Sequence, residues 1–252
     1  METVVITASA GTFPGLVEAL RTLPVAVEER PLIRFRAPPN WDRLDQELDR
    51  LGSYDAVAFT SPRAARMVAD RIEQSKKESW TRNRLPVVWA AGAATAAALR
   101  EMMGSVRVPS EVPGGTEGAA AALARAMLDV PVTGPVLFPC GSSRRDELPA
   151  GLRRKGIVVN EVVCYESVLA GEREALAVAE RATVVVVASP SVADLLTRVC
   201  PPASRPQLIA AGPTTAASAR GMGWTPDAVA TEPTAEAVVE AIRAVLRSPH
   251  SS

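Results

Sequence analysis

Seven short apolar runs, rich in β-branched residues and spaced along the chain, constrain this fold more than any other feature. They are "TVVITA" (3–8), "DAVAFTS" (55–61), "LPVVWAAG" (85–92), "SVRVP" (105–109), "PVLFPCG" (135–141), "TVVVVASP" (183–190) and "QLIAAG" (207–212). Each is continuous rather than alternating in polarity. A strand with one wet face alternates, whereas a strand covered on both faces need not. The runs therefore read as strands of parallel sheets covered by crossover helices. Helical segments are expected in "WDRLDQELDRL" (41–51), "SPRAARMVADRIEQ" (61–74), "TEGAAAALARAML" (116–128), "RRDELPAGLRRKG" (144–156) and "TAEAVVEAIRAVL" (234–246). This alternation predicts an α/β, doubly wound chain. Two segments differ: "ERPLIRFRAP" (29–38) and "NEVVCYESV" (160–168) alternate polar and apolar residues, as strands with one wet face do.

The chain also repeats itself. "FTSPRAA" (59–65) pairs with "VASPSVA" (187–193), their serines offset by 189 − 61 = 128. "AAGAATAAA" pairs with "AAGPTTAAS", their glycines offset by 212 − 92 = 120. "GGTEGAAAALARAML" pairs with "EPTAEAVVEAIRAVL", their threonines offset by 234 − 116 = 118. "GLVEALRTLPVAVEE" (15–29) pairs more loosely with "ELPAGLRRKGIVVNE" (147–161). The order is the same in both halves, which points to duplication rather than to chance likeness of Ala-rich helices.

Composition narrows the chemistry. Lys+Arg and Asp+Glu both number 28, so no basic field calls for nucleic acid, and an anionic ligand must be held by local donors. No run reaches the ~18 apolar residues of a spanning helix, and residues 1–10 are too short for a secretory signal. Cys140, Cys164 and Cys200 form no CxxC pair and read as reduced thiols of a cytoplasmic protein. The single histidine, His250, sits in the polar end "RSPHSS". Nucleophile–histidine catalysis and His-based zinc sites are thereby disfavoured.

Small hydroxyl residues gather where strands hand over to helices: Thr60 and Ser61, Thr95, Ser142 and Ser143, Ser189 and Ser191, Thr214 and Thr215. Doubly wound sheets bind ligands at the carboxyl ends of their strands, and helix starts offer unpaired N–H groups to anions. Gly92 and Gly212 remove bulk where backbone approaches a ligand. Ser and Thr also cap helices without any ligand, so for each residue both readings stand. Neither GxGxxG nor GxxxxGK[ST] is present, which disfavours a nucleotide site. Arg144 and Arg145 are expected in the first turn of a helix, where a cation opposes the dipole. An anionic ligand or a salt bridge to Asp146 or Glu147 would offset that. Tyr165 could donate a proton or simply pack; Cys140 and Cys164 read as small core residues.

Taken in order, "AFTSPRAA", "AAGAATAAAL…G", "LFPCGSSRRDELPAGLRRKGIVVNEVVCYES", "VVASPSVADLL" and "AAGPTTAASARGMG…VATEPTAEAVVEAI" resemble the uroporphyrinogen-III synthase family over nearly the whole chain. The resemblance implies two doubly wound, flavodoxin-like parallel-sheet lobes joined by a two-stranded β-ladder. Residues 1–33 and 169–252 would form an outer lobe, 39–159 a middle lobe, and 34–38 with 160–168 the ladder. It implies a cofactor-independent and metal-free hydro-lyase. That enzyme closes the linear tetrapyrrole hydroxymethylbilane to uroporphyrinogen III, inverting the last ring through a spiro intermediate in the cleft between lobes.

Carried over residue by residue, the family's tyrosine falls on Tyr165, as proton donor to the departing hydroxyl. Its threonines fall on Thr95 and Thr215 and its serines on Ser61 and Ser189. Substrate binding would also draw on Thr60, Ser191, Thr214, Gly92, Gly212 and Arg145. One departure stands out: many members carry Thr-Arg-Pro after the first strand, where this chain has "ITASAGTFPG". Ser9 or Thr12 would have to replace that arginine through hydroxyls. The resemblance further implies a cytoplasmic monomer without nucleic-acid or membrane partners, taking its substrate from the preceding pathway enzyme. A noncatalytic two-lobed module that binds an anionic small molecule is the alternative.

Overall fold

The computed structural model describes residues 1–75, 86–103, 105–109, 118–130 and 132–247, with the backbone alone at 100–103. His250 and Thr116 lie outside the described residues. The chain divides into two compact units, Met1–Arg34 with Val168–Ser252 and Phe35–Ser167.

The first unit holds a five-stranded sheet. Its strands are β1 (Glu2–Ile6), β2 (Val25–Glu29), β9 (Val184–Val187), β10 (Gln207–Ala210) and β11 (Ala228–Val229), in the spatial order β11-β10-β9-β1-β2. Every pairing is parallel; Val4, for example, lies between Val27 and Val184. Alternate residues of each strand point to opposite faces, so one strand feeds two cores. Val4, Ile6, Val184, Val186 and Ile209 pack on α1 (Leu16–Leu20) and α10 (Ala235–Arg247). Val5, Val185, Val187 and Leu208 pack on α7 (Glu172–Arg181), α8 (Pro190–Val199) and α9 (Pro213–Gly221). Two covered faces explain why "VVVV" need not alternate: all four residues of β9 are buried.

The second unit holds β3 (Ile33–Arg36), β4 (Ala56–Phe59), β5 (Val87–Ala90), β6 (Val106–Arg107), β7 (Val136–Gly141) and β8 (Val159–Leu169), in the order β3-β8-β7-β4-β5-β6. The chain leaves the first unit within β3 and returns to it within β8. From β8 to β6 the pairing is parallel. One face is covered by α2 (Asp42–Asp49), α3 (Pro62–Ser75) and α4 (Ala93–Met103), the other by α5 (Ala119–Leu128) and α6 (Glu147–Arg153). Phe138, 1% exposed, faces Leu123, Met127, Leu148 and Leu152. Phe138→Ala is expected to destabilise this unit by about 3–5 kcal/mol, through lost transfer energy and the cavity left behind. Chemical denaturation checks this; a shift under about 1 kcal/mol would mean that the site refills.

The two strand orders explain the internal repeat. Strands β9, β10 and β11 occupy the places that β4, β5 and β6 occupy in the other unit, and β1 and β2 the places of β7 and β8. Each unit thus takes its first βαβ from one half of the chain and its remaining strands from the other. The half-chain is the duplicated length, and the compact unit is built from parts of both copies.

Three expectations shift. The helix expected over 144–156 begins only at Glu147. Pro149 cannot donate an N–H, so it fits within a first turn and not five residues into a helix. With Arg144 and Arg145 in the turn before the helix, the dipole argument for an anion there lapses. Helix α7 and strand β2 were not anticipated, although Ala175, Val178 and Ala179 have helical spacing and are the buried residues of α7. No helix among the described residues is long and apolar enough to cross a membrane.

Candidate active site

In a parallel sheet, the loops after two neighbouring strands diverge where the strand order reverses. In the second unit that point lies between β4 and β7. The loop after β4 carries Thr60 and Ser61 and leads into α3 at Pro62 and Arg63; the loop after β7 carries Ser142 to Asp146. Strand β8 runs past the end of β7 and brings Tyr165 to the same place.

The seating of Tyr165 is built from several elements. The Ser61 Oγ and Tyr165 Oη atoms lie 3.3 Å apart. Phe35, on β3, meets the Tyr165 ring edge-on, with centroids 5.7 Å apart and planes at 76°. The Arg63 guanidinium stacks on the Phe35 ring, 3.7 Å from its centroid, a contact that favours a cation over a π face. The Ser142 N–H donates to the Tyr165 carbonyl at 3.0 Å, and the Ser167 N–H donates to Ser142 Oγ at 3.1 Å. Tyr165 itself is half-buried, so its phenol is fixed in place without being sealed off.

Arg144 and Arg145 part ways. Arg144 pairs with Glu161 and, at 3.8 Å, with Asp146. Arg153 also reaches Glu161, at 2.7 Å. Burial pushes the Glu161 carboxyl up, but the hydrogen bonds from Arg144 and Arg153 together hold it below its ordinary value. Arg145 is exposed and makes no ion pair or side-chain hydrogen bond among the described residues, which leaves it open to an anion. Burial pushes the thiols of Cys140 and Cys164 up to about 11 and about 12, so neither serves as a thiolate near neutral pH. Both fill core space.

The glycine–threonine turns prove equivalent. Gly92 precedes α4 and Gly212 precedes α9; Thr95 and Thr215 each occupy the third helical position, and each is 4% exposed. The residues presented at these helix starts are Ala93 and Ala94 in one unit and Pro213 and Thr214 in the other, all exposed. Thr95 and Thr215 are thus packed into their own units, and the accessible main chain of the first turn is the anion-suited part. The first N–H groups there have no intrahelical acceptor. Ser61 Oγ accepts a long 3.4 Å bond from the Ala64 N–H. Ser189 precedes α8 without a side-chain cap bond. Thr60, Ser189, Ser191 and Thr214 have no side-chain hydrogen bond among the described residues, so their hydroxyls are free for a ligand.

The turn after β1, in the first unit, carries no cation. Ser9 Oγ donates to the Ile33 carbonyl at 3.0 Å and Thr12 Oγ1 to the Ser9 carbonyl at 2.6 Å. Both hydroxyl protons are committed, so neither side chain replaces an arginine as a donor in this conformation. Sequence reasoning passed over Arg63, Phe35 and Gly141. Arg63 was visible inside "TSPRAA"; Phe35 and Gly141 gain meaning only when three distant segments meet. A cavity of about 650 Å³ lined by Tyr54, Asp55, Trp89, Arg107 and Thr133 lies at the amino-terminal ends of these strands. It is away from the loops described above.

A family model described as uroporphyrinogen-III synthase HemD matches residues 15–240. The chain is similar to a mutant uroporphyrinogen III synthase from the extremely thermophilic bacterium Thermus thermophilus at a TM-score of 0.66 and 14% identity, covering 98% of this chain and 99% of that one. It is similar to uroporphyrinogen-III synthetase from Helicobacter pylori at a TM-score of 0.63 and 20% identity, covering 98% and 100%. At such identities the structural likeness speaks for the fold, and the family model for descent. With "FTSPRAA", "PCGSSRRDELPAGLRRKG" and "AAGPTTAAS" all inside the matched span, the chain belongs to the uroporphyrinogen-III synthase family.

Proposed function

We propose that the chain performs the reaction of its family with Tyr165 as proton donor. The reaction closes hydroxymethylbilane to uroporphyrinogen III with inversion of ring D and loss of water, and makes the protein a lyase of tetrapyrrole synthesis. In the first step the C–O bond of the terminal hydroxymethyl group breaks. The phenol of Tyr165 gives its proton to the leaving oxygen, water departs, and the electrons of the pyrrole nitrogen complete a cationic azafulvene. That cation is attacked by the substituted carbon of ring D, giving a spiro intermediate. The intermediate fragments and recloses at the other position, and the proton lost as the ring regains aromaticity returns to the phenolate. No imidazole is needed.

Most of the remaining work is holding a flexible tetrapyrrole in a reactive geometry, where effective concentration supplies the rate. Its acetate and propionate groups suit the helix starts after Gly92 and Gly212 and the hydroxyls of Thr60, Ser61, Ser189, Ser191 and Thr214. Arg145 and Arg63 supply cations in the second unit. Thr95 and Thr215 shape the turns that present these groups. The protein is read as a cytoplasmic monomer supplied by the enzyme that makes the bilane.

The observation that carries this reading is the Tyr165 phenol fixed beside Ser61 at the strand-order reversal. Spontaneous closure of hydroxymethylbilane gives isomer I, without inversion. Supplied with freshly generated hydroxymethylbilane, the protein is expected to divert product to isomer III, as separated by chromatography. Product that remains isomer I at saturating protein would reduce the chain to a binding module.

A further inference from the structure

Gly141 stands opposite Tyr165 in the pairing of β7 with β8, and the register between these strands is broken just before it. Cys140 faces Val163, whereas Gly141 faces Tyr165, so Cys164 is an extra residue in β8. Its thiol is directed to the core and donates to the Cys140 carbonyl at 3.3 Å. An extra residue of this kind bends a strand and re-aims the side chain beside it. Tyr165 is accordingly laid over the backbone of β7. A Cβ placed on Gly141 would stand 2.6 Å from Tyr165 Cε2 and 2.7 Å from its Oη, well inside van der Waals contact. Gly141 is not among the glycines with positive φ, so space, not backbone freedom, requires a glycine here. The two bonds of Ser142, to the Tyr165 carbonyl and from the Ser167 N–H, fasten β8 at Tyr165 and just beyond it.

We propose that Gly141 is a positioning residue for the reaction: its missing side chain is the seat on which the Tyr165 phenol lies, with its hydroxyl beside Ser61. The catalytic part of this inference rests on the proton-donor reading of Tyr165 given above. The seat does not, and the test treats the two separately.

The test is a set of variants measured for both stability and turnover. Gly141→Ala is expected to lower Tm by about 3–10 °C, the range for an overpacked site in a protein of this size. In a Tyr165→Ala background the same change should cost less than a third of that, because the ring is gone. Equal losses in both backgrounds would overturn the seat, since the alanine would then be clashing with backbone. If Gly141→Ala does not fold, a folded double variant carries the expected result; an unfolded double variant beside a folded Tyr165→Ala overturns it. In turnover, Gly141→Ala should lose about 10–100-fold in kcat with KM within about threefold, the scale of a catalytic group displaced by about 1 Å. Added to Tyr165→Phe, it should cost less than about threefold more. A full additional loss there would show that Gly141 does not act through the phenol. Wild-type turnover in Tyr165→Phe alone would remove the donor role, while the stability cycle still judges the seat.

Discussion

Tyr165→Phe is expected to lower kcat by about 10²–10³-fold while leaving KM and the fold nearly unchanged. A positioned general acid contributes roughly 10²–10⁴-fold, and Phe removes the proton and keeps the ring. The ring carries the packing, against Phe35 edge-on and across Gly141, so the variant should unfold close to the parent. The hydroxyl's bond to Ser61, at 3.3 Å, is long for a pair of hydroxyls and adds little to stability. The slow variant carries a second signature. Hydroxymethylbilane closes by itself to isomer I, so the share of isomer I should rise as the enzymatic route slows, and rise further at low enzyme concentration. Single-turnover rates with isomer separation read both effects. Wild-type turnover with undiminished isomer III would remove Tyr165 as donor and leave orientation alone to carry the rate.

The fold was legible because its strands are buried on both faces, and residues 183–190 could hardly be read as anything else. The repeats were legible because α4 and α9, and α3 and α8, meet the same environments. Residues 92–99 and 212–219 share one alternation of exposed and buried positions. What local pattern could not supply was the exchange of first βαβ units between halves. Nothing in "TVVITA" states that it pairs with the distant "TVVVVASP", at the register Val4–Val184. The same limit holds for the candidate site. Tyr165 could be singled out, being one of two tyrosines. Its surroundings come from β3, the start of α3 and the end of β7; Gly141 looks like an ordinary strand residue until the register break after Cys140 sets it opposite the ring, and Phe35 until β3 brings it edge-on to that ring. Thr95 and Thr215 show the opposite case. A helix start was rightly expected, but the third position of a helix that packs on a sheet turns inward, and the accessible part is the turn before it.

The exposed first turns of α4 and α9 allow a charge-reversal experiment at equivalent positions of the two units. Ala94 and Thr214 are each the second residue of their helix, each exposed, and each beside the unpaired N–H groups of a first turn. A carboxylate at such a position is favourable to the helix itself, by about 0.3–1 kcal/mol, because it meets the positive end of the dipole. If these turns hold carboxylates of the tetrapyrrole, the same substitution places a negative charge where the ligand's must go. Juxtaposed like charges cost up to several kcal/mol. Ala94→Glu and Thr214→Glu are therefore each expected to raise KM by about 10–100-fold while Tm stays level or rises slightly. The double variant should approach the product of the two effects, because each helix start would serve a different carboxylate. The opposed signs are what make the test informative. A substitution that merely damages the protein lowers stability and activity together, whereas here activity falls as the helix gains. Raising ionic strength should recover part of the loss in the Glu variants, since exposed charges are screened within about 8–10 Å at physiological salt. Unchanged KM in both variants would place the carboxylate grip elsewhere and leave the glycine–threonine turns as repeated architecture.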